Sequence, residues 1–476
     1  MTLELKRRDA LLTALFGAGH IGLRAMATGL PIWFLRDPSK ATAQDLECAI
    51  MARENLQYLI VSAASAGDPI NCNCPGTYED ATAIHPEQPA MAATEIAFGD
   101  KTFTAAAPWA VLSEAVRART TFFHHVTQAN NHGDQPKVMR LMGATSGGEM
   151  LVSAYAKHLA GCFSTVQAQP VAVGARGNAS ELVSFSGRSL PSISPTQLRQ
   201  LLTGSSGGGG GGGFPRRQDP LVGLRSIRDT YLDRLNAMAK QDATNVQQQF
   251  LDALSTSQAQ VRMLAESLAD TLSAINGDDV AGQALAAAAL ISANVTPVVT
   301  VRIPFGGDNH SDSSLQKEVD DHTDANSRST GVAGIQAVMD ALAMMGLSDK
   351  VTFATLNVFG RNLNGISKVE SRSGRDHYGN HSVAVLIGKN IVPGVVGGVV
   401  PVDDRSSNGA LGAADIDSST GAGVSGGDIP RLETHVAMAR TLGGALGIPQ
   451  SVLDGSFIAS AGGKLVPAAL TQVPSE

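Results

Sequence analysis

The sequence is poor in aromatic residues and in basic blocks, and both shortages exclude classes of function. Phenylalanine, tryptophan and tyrosine make up 4% of the 476 residues, which argues against a surface that stacks on bases or sugars. The net charge is −7, and no run of lysine and arginine occurs beyond the N-terminus. Because nucleic-acid binding needs a basic face, we expect no nucleic-acid partner.

Cysteine is also scarce, with only four residues: Cys48, Cys72, Cys74 and Cys162. The number is even, so disulfides are allowed if the protein is exported. One residue separates Cys72 from Cys74, an awkward spacing for a bridge between their own thiols. We interpret them as loop thiols, or as partners of distant cysteines, because a soft-metal site would need further ligands.

A clean apolar run of about 20 residues is missing from the N-terminus, so no stable membrane span is expected. Arg7 and Arg8 precede a weakly hydrophobic segment that His20 and Arg24 interrupt. The pattern resembles a twin-arginine export signal, which predicts that residues 1–43 direct the protein to the periplasm or the medium. The alternative is an N-terminal amphipathic helix that packs on the body of the protein.

Hydrophobic residues make up 43% of the chain, enough for a packed interior. Strand and helix patterns alternate, which predicts a large α/β domain with a doubly wound sheet. We place the first part of the core at 44–203 and the second at 294–476. Between them, the glycine-rich stretch 204–217 predicts a flexible loop, and 218–293 predicts an α-helical insertion.

Hydrophobic periodicity sets the expected elements within this plan. Buried strands are predicted at 56–62, 166–173, 296–303, 351–358 and 382–387. Helices are predicted at 43–54, 109–118, 150–160, 281–293, 330–345 and 429–446. The stretch 69–108 is rich in proline, glycine, asparagine and threonine, and we interpret it as irregular.

Two acidic–histidine clusters adjoin predicted strands. Asp308 and His310 follow strand 296–303 in RIPFGGDNHSD, and Asp376 and His377 precede strand 382–387 in SGRDHYGN. Carboxylates and imidazoles bind divalent metals, and open α/β sheets build sites in loops at strand ends. Asp68, after the first strand, adds a carboxylate. These five residues predict a site for zinc, calcium or magnesium, unless Asp308 merely caps a loop and His377 bonds locally.

Other side chains are candidates for the same cleft. Arg361 and Arg375 lie near the second cluster, where a guanidinium either binds an oxyanion or braces the carboxylates. A histidine-rich zone adds three loop candidates: His124, His125 and His132.

The nucleophile is the least defined part of this site. Thr145 and Ser146 precede the predicted helix 150–160, where backbone N–H groups favour an anion. A hydroxyl there is a candidate nucleophile, although helix capping explains both residues equally well.

Several of these motifs together resemble a known family. The chain resembles exported bacterial proteins of the 1501 domain-of-unknown-function family, a branch of the alkaline phosphatase/sulfatase superfamily. The resemblance rests on the twin arginines, the strand ending at Asp68, GGDNHSD, the FGR at 359–361 and GRDHYGN. The resemblance covers most of the chain, with 204–293 as insertions, and GRDHYGN is its most specific piece.

The resemblance implies an alkaline-phosphatase-like, mostly parallel sheet flanked by helices and a two-metal site. The implied ligands are Asp68, Asp308, His310, Asp376 and His377. The chain departs from the superfamily pattern in three ways. For a further C-terminal histidine of that pattern, His435 and His381 are only weak candidates. The spacing of Asp308 and His310 is tighter than usual, and no serine or threonine follows the first strand in the usual motif.

The leading hypothesis is an exported metal-dependent hydrolase, with a small anionic ester or polymer carrying phosphate or sulfate as substrate. The rival is a non-catalytic secreted protein on a degenerate hydrolase fold, structural or self-assembling into a homo-oligomer. The glycine-rich loop, the helical insertion and the missing nucleophile motif favour the rival, and fold alone does not decide function.

Overall fold

The computed structural model describes residues 55–474 except 80, 82–87, 164, 166, 175–183, 186–187, 190–191, 204–221, 242–243, 245–247, 249–250, 252–254, 256–267, 364–373, 403–410 and 460–461. The predicted export segment 1–43, the predicted helix 43–54 and the glycine-rich loop 204–217 lie outside the described residues. So does most of 242–267 in the predicted helical insertion.

An eight-stranded mixed sheet forms the centre of the molecule. Its strands, in chain order, are β1 (Tyr58–Ala64), β2 (Thr120–His125), β3 (Val171–Val173), β4 (Ser192–Ile193), β5 (Val298–Val301), β6 (Val351–Asn357), β7 (Ser382–Ile387) and β8 (Gly394–Val396). Across the sheet they lie in the order β8-β2-β7-β6-β1-β5-β3-β4. Only β7 runs antiparallel to its neighbours β6 and β2. The predicted mixed α/β class with a mostly parallel sheet is confirmed.

Helices cover both faces of this sheet. They are α1 (Glu114–Arg117), α2 (Gln135–Met139), α3 (Leu151–Phe163), α4 (Pro195–Thr203), α5 (Val222–Gln241), α6 (Ala269–Ser273), α7 (Val280–Ser292), α8 (Gln316–His322), α9 (Gly331–Met344), α10 (Thr434–Ala445) and α11 (Gln450–Val452). Among the helices of the described ranges, none is both long and apolar enough to cross a bilayer.

Two hydrophobic clusters lie on the two faces of the sheet. Ile60 belongs to one cluster, whereas Leu59 and Val61 belong to the other, because successive residues of a strand point to opposite faces. The first cluster includes apolar residues of α7 and α9, and the second includes those of α3 and α10. A sheet covered on both faces explains why β1 and β7 are nearly continuous apolar runs.

The predicted elements needed three corrections. The stretch 69–108 is not irregular throughout, because Ala93–Phe98 and Lys101–Ala106 form an antiparallel hairpin. The helix predicted at 109–118 is broken into a 3₁₀ turn and α1, since Leu112 and Ser113 are extended. The strand predicted at 166–173 begins only at Val171.

A short hairpin outside the central sheet matters most for the site. Gly360–Arg361 pairs antiparallel with His377–Tyr378, and Arg361 lies opposite His377. This pairing joins the FGR and GRDHYGN motifs although 364–373 lie between them. Further two-stranded pairs are Ser184–Phe185 with Arg188–Ser189, Val399–Pro401 with Leu411–Ala413, and Asp415–Ile416 with Gly423–Val424.

Candidate functional site

The candidate site lies at one edge of the sheet, where five chain segments meet. The parallel strands β1, β2, β5 and β6 all end at this edge, and β7 begins there because it alone runs the other way. The loops beyond these strand ends carry residues 65–68, 130–134, 302–312, 359–361 and 376–381. Strand direction therefore brings together motifs that are far apart in the sequence.

Asp308 is the centre of this site. Its Oδ1 accepts hydrogen bonds from His310 Nδ1 at 2.6 Å and from Arg361 Nη2 at 2.8 Å. Its Oδ2 lies 3.0 Å from His132 Nε2, and His377 Nε2 lies 3.5 Å from Oδ1. Among the described residues, His132, Asp308 and His377 offer ligand atoms that all lie within 4.8 Å of one another.

The second nitrogen of each histidine fixes its tautomer. His132 Nδ1 lies 2.6 Å from the carbonyl oxygen of Ser65, and His377 Nδ1 lies 2.9 Å from that of Asn130. A carbonyl oxygen only accepts hydrogen bonds, so both Nδ1 atoms carry a proton. In a neutral ring the Nε2 lone pair then faces Asp308, as in metal-ligating histidines that are oriented by a backbone carbonyl.

The charges of the cluster follow from its surroundings. Burial opposes ionisation of Asp308, but hydrogen bonds from His310 and Arg361 outweigh it and hold the pKa of the carboxyl below its usual range. Burial, together with the charges of Arg361 and His132, lowers the pKa of His377 despite its bond to Asn130. At neutral pH the site thus presents an ionised carboxylate and a neutral His377.

Arg361 is fully buried and holds the loops of the site together. Its Nε donates to the carbonyl of Gly67, and its Nη2 donates to the carbonyl of Ala66 as well as to Asp308. Nη1 donates to the carbonyl of Arg375. With each nitrogen engaged by a protein acceptor, the geometry favours the bracing interpretation of Arg361 over direct anion binding.

Arg375 is likewise engaged inside the protein. It forms a buried ion pair with Glu318, from Nε to Oε2 at 2.8 Å, and neither side chain is exposed. Nη1 donates to the carbonyls of Asn362 and Leu363. This pair ties the second cluster to α8 and favours a bracing role for Arg375 too.

Asp68 lies at the same edge but is paired with a cation of the protein. Its carboxylate contacts Arg302 Nη1 at 2.5 Å and accepts hydrogen bonds from the backbone N–H groups of Phe305 and Gly307. Burial raises its pKa, and Arg302 and these N–H groups lower it by more. Asp68 therefore organises the loop that carries Asp308.

Asp376 does not join the three-residue ligand cluster either. Its backbone N–H donates to Asn362 Oδ1, and its carbonyl accepts from Asn362 N. These bonds extend the hairpin, and adjacent residues of an extended chain point to opposite faces. Among the described residues, the group of mutually close ligand atoms contains His377 but not Asp376.

The two candidate hydroxyls lie elsewhere. Thr145 is buried and donates to the carbonyls of Arg140 and Glu149, and it forms a bridge with Ile458. Ser146 begins an exposed 3₁₀ turn. No hydrogen bond joins a serine or threonine hydroxyl to Asp308, His132 or His377 among the residues that the structure describes.

Four further histidines form two buried pairs. His124 Nδ1 lies 2.9 Å from His381 Nε2, and His125 Nδ1 lies 3.2 Å from His435 Nδ1. Burial lowers the pKa of His124 to about 4 and also lowers the pKa of the other three. These histidines are neutral core residues, and only His132 from the histidine-rich zone reaches Asp308.

The cysteines divide into two kinds. Cys72 and Cys74 are buried free thiols, and burial raises the pKa of Cys74 to about 12. Cys162 is disulfide-bonded. The expectation that Cys72 and Cys74 are not bridged to each other is confirmed.

Comparison with known proteins adds one relationship. No curated protein matches the chain. One family model matches residues 211–411, a span that contains Asp308, Arg361 and His377 but not His132. That model is described as "Protein of unknown function (DUF1501)", and the chain is similar to this family over the matched residues.

Proposed function

We propose that the protein is a metal-dependent hydrolase of phosphate or sulfate esters, with His132, Asp308 and His377 as metal ligands. One observation carries the proposal. Two histidines each donate Nδ1–H to a backbone carbonyl and aim Nε2 at the same carboxylate. A lone pair facing a carboxylate oxygen is repulsive, and a cation between them turns the repulsion into coordination.

The residues present fit a transition metal. His377 Nε2 is buried and has no hydrogen-bond partner among the described residues, which is costly unless something binds it. Two imidazole nitrogens and one carboxylate oxygen make a three-ligand set that leaves a position open, as in catalytic zinc sites. Calcium and magnesium prefer oxygen ligands, so this donor set favours zinc among the three metals expected from the sequence.

A bound metal would supply Lewis acidity and lower the pKa of a coordinated water. Side chains of the protein would position the ligands and transfer protons. Arg361 and the loop backbone hold Asp308 in place. His310 is partly exposed and uses Nδ1 to donate to Asp308, so Nε2 is left to exchange a proton with a substrate or a water. Because no hydroxyl of the described residues is hydrogen-bonded to the cluster, we assign the nucleophile to water rather than to Thr145 or Ser146.

We further propose that the protein works outside the cytoplasm. The disulfide of Cys162 supports this, since disulfides persist in oxidising compartments and are rare in the cytosol. The arginine pair at residues 7 and 8 supports it from the sequence.

Hydrolysis of p-nitrophenyl phosphate and p-nitrophenyl sulfate, with and without added zinc, tests the proposed activity. Zinc-dependent turnover of at least one ester is expected, with a loss of roughly 10²-fold or more in His310→Ala, the range of general acid–base effects. His310→Ala should keep its metal, because His310 is not in the ligand trio. Metal-loaded protein that hydrolyses neither ester would reject the proposal.

One observation favours the non-catalytic rival. Helix α5 exposes a row of large apolar side chains, Tyr231, Leu235 and Met238, at spacings of four and three residues. Light scattering after size-exclusion chromatography measures whether the protein self-associates. Concentration-dependent association that Tyr231→Ser and Leu235→Ser abolish, together with no metal and no turnover, would support the rival.

A further inference from the structure

A cavity of about 650 Å³ adjoins the loop that carries Asp308. Its wall includes Gly307, the residue before Asp308, and Arg302, the partner of Asp68. The size falls within the roughly 300–1,000 Å³ of small-molecule sites. A molecule bound here therefore lies next to the proposed metal centre.

Three cations line this cavity, and two of them are uncommitted. Arg302 is neutralised by Asp68. Lys317 and Arg328 form no side-chain ion pair within the described part of the chain, and both are exposed to the cavity mouth. The charge of Lys317 also acts on the carboxyl of Asp321. Cations beside a concave surface attract anions and raise their local concentration.

Two carboxylates also line the cavity, and they are partly occupied. Asp279 caps α7 by accepting from Gly282 N–H at 2.8 Å. Asp321 accepts from Gly306 N–H through Oδ2 at 2.8 Å, which leaves Oδ1 for another donor. Asp279 uses only Oδ1 in its cap, so two cations and one oxygen of each carboxylate remain for a ligand.

Gly307 brings one of the cations close to the loop backbone. Its φ is +59°, and a Cβ at this position would lie 3.0 Å from Lys317 Nζ. A glycine here lets the ammonium group lie against the turn that leads directly into Asp308. The cation thus lies beside the residue that precedes Asp308.

We propose that this cavity is a binding subsite for an anionic group of the substrate, held by Lys317 and Arg328. The proposal rests on the proposed hydrolase function, and it assigns substrate recognition to groups other than the buried Arg361 and Arg375. The recognised group is a sulfate, phosphate or carboxylate next to the ester that is cleaved. A hydroxyl of the same molecule donates to Asp321. The described residues that line the cavity include no aromatic side chain, so charge and hydrogen bonds provide the recognition.

Calorimetric titration of inorganic sulfate and inorganic phosphate into the full-length, chelator-treated protein tests the subsite without relying on activity. Chloride at matched ionic strength serves as the reference anion. We expect saturable binding that weakens at least tenfold in Lys317→Gln and in Arg328→Gln. Lys350→Gln is the matched control, because Lys350 is an exposed lysine just before β6, on the opposite edge of the sheet.

The variant His377→Ala separates this proposal from the proposed function. Sulfate or phosphate binding that persists in His377→Ala, in the absence of any metal or turnover, supports the subsite while the hydrolase hypothesis fails. Binding that is absent from wild type, unchanged in both cavity variants, or equally weakened by Lys350→Gln overturns the subsite. Circular dichroism of each variant confirms that it is folded.

Discussion

His132 Nε2 lies 3.0 Å from Asp308 Oδ2, although Nδ1 of the same ring already donates to the carbonyl of Ser65. The ring therefore either carries two protons or shares a cation with the carboxylate. His377 repeats this arrangement with the carbonyl of Asn130, and its lowered pKa disfavours the doubly protonated form. The shared cation is the interpretation that satisfies both histidines together.

Asp68 and Asp308 should respond differently to the same substitution. Asp68→Asn removes the partner of Arg302, and we expect a loss of roughly 3–5 kcal/mol of unfolding free energy, since breaking a buried pair leaves an uncompensated charge. Bound metal should remain. Asp308→Asn should instead lose the metal. Urea unfolding and elemental analysis of both variants measure these effects, and loss of metal in folded Asp68→Asn would restore Asp68 as a ligand.

The buried pair of Glu318 and Arg375 is expected to stabilise the site rather than bind substrate. Arg375→Met should lower the unfolding free energy by roughly 3–5 kcal/mol, because Glu318 is left buried and charged. The double variant Glu318→Gln with Arg375→Met should recover much of this loss. If Arg375→Met keeps full stability but raises KM for the ester substrate, the arginine binds the anion instead.

Gly67 is expected to control the metal site without touching it. Its φ is +66°, and a Cβ there would lie 2.0 Å from Phe359, whose ring stacks on His377 at a centroid distance of 4.3 Å. The substitution Gly67→Ala would strain the backbone by roughly 1–2 kcal/mol and would also displace the ring of Phe359. We expect metal affinity to fall at least tenfold. Unchanged affinity by calorimetry would show that Phe359 does not position His377.

The buried histidine pairs predict acid sensitivity. His124 Nε2 donates to the carbonyl of Pro75, and Nδ1 accepts from His381, so both rings are neutral. The folded pKa of His124 is about 4 and the unfolded value is near 6.5, so its contribution is complete above pH 6.5 and is lost as the pH falls towards 4. That contribution amounts to about 3 kcal/mol.

Unfolding free energies measured between pH 7.5 and 4 test this prediction. The carboxylates titrate in the same range, so the informative quantity is the difference between wild type and His124→Gln. The variant should lose less stability over that interval. Parallel curves for the two proteins would show that His124 does not titrate as proposed.

Much of the fold and about half of the candidate site follow from local sequence patterns. The apolar runs predicted five of the eight sheet strands, and strand direction placed Asp308, His310 and His377 at one edge. The antiparallel direction of β7 and the hairpin 93–106 were not predicted, because pairing depends on distant partners. The complete burial of Arg361 and Arg375 was not foreseeable from the sequence.

The proposed metal ligands could be predicted from the sequence only in part. His132 lies seven residues beyond β2 in a polar loop, and no periodicity distinguishes it from His124 and His125. Asp68 follows a strand, as expected of a metal ligand. However, Arg302, one residue after β5, forms an ion pair with it. Tertiary packing decides which acidic groups pair with a cation of the protein and which remain available to a metal.

Metal binding by the purified protein and by His377→Ala tests the central claim most directly. Zinc titrated calorimetrically into chelator-treated wild type should bind tightly at one ion per chain. His377→Ala, checked to be folded by circular dichroism, should bind at least a hundredfold more weakly. Wild-type protein that binds no zinc, or His377→Ala that binds it as tightly as wild type, would contradict the proposed metal centre.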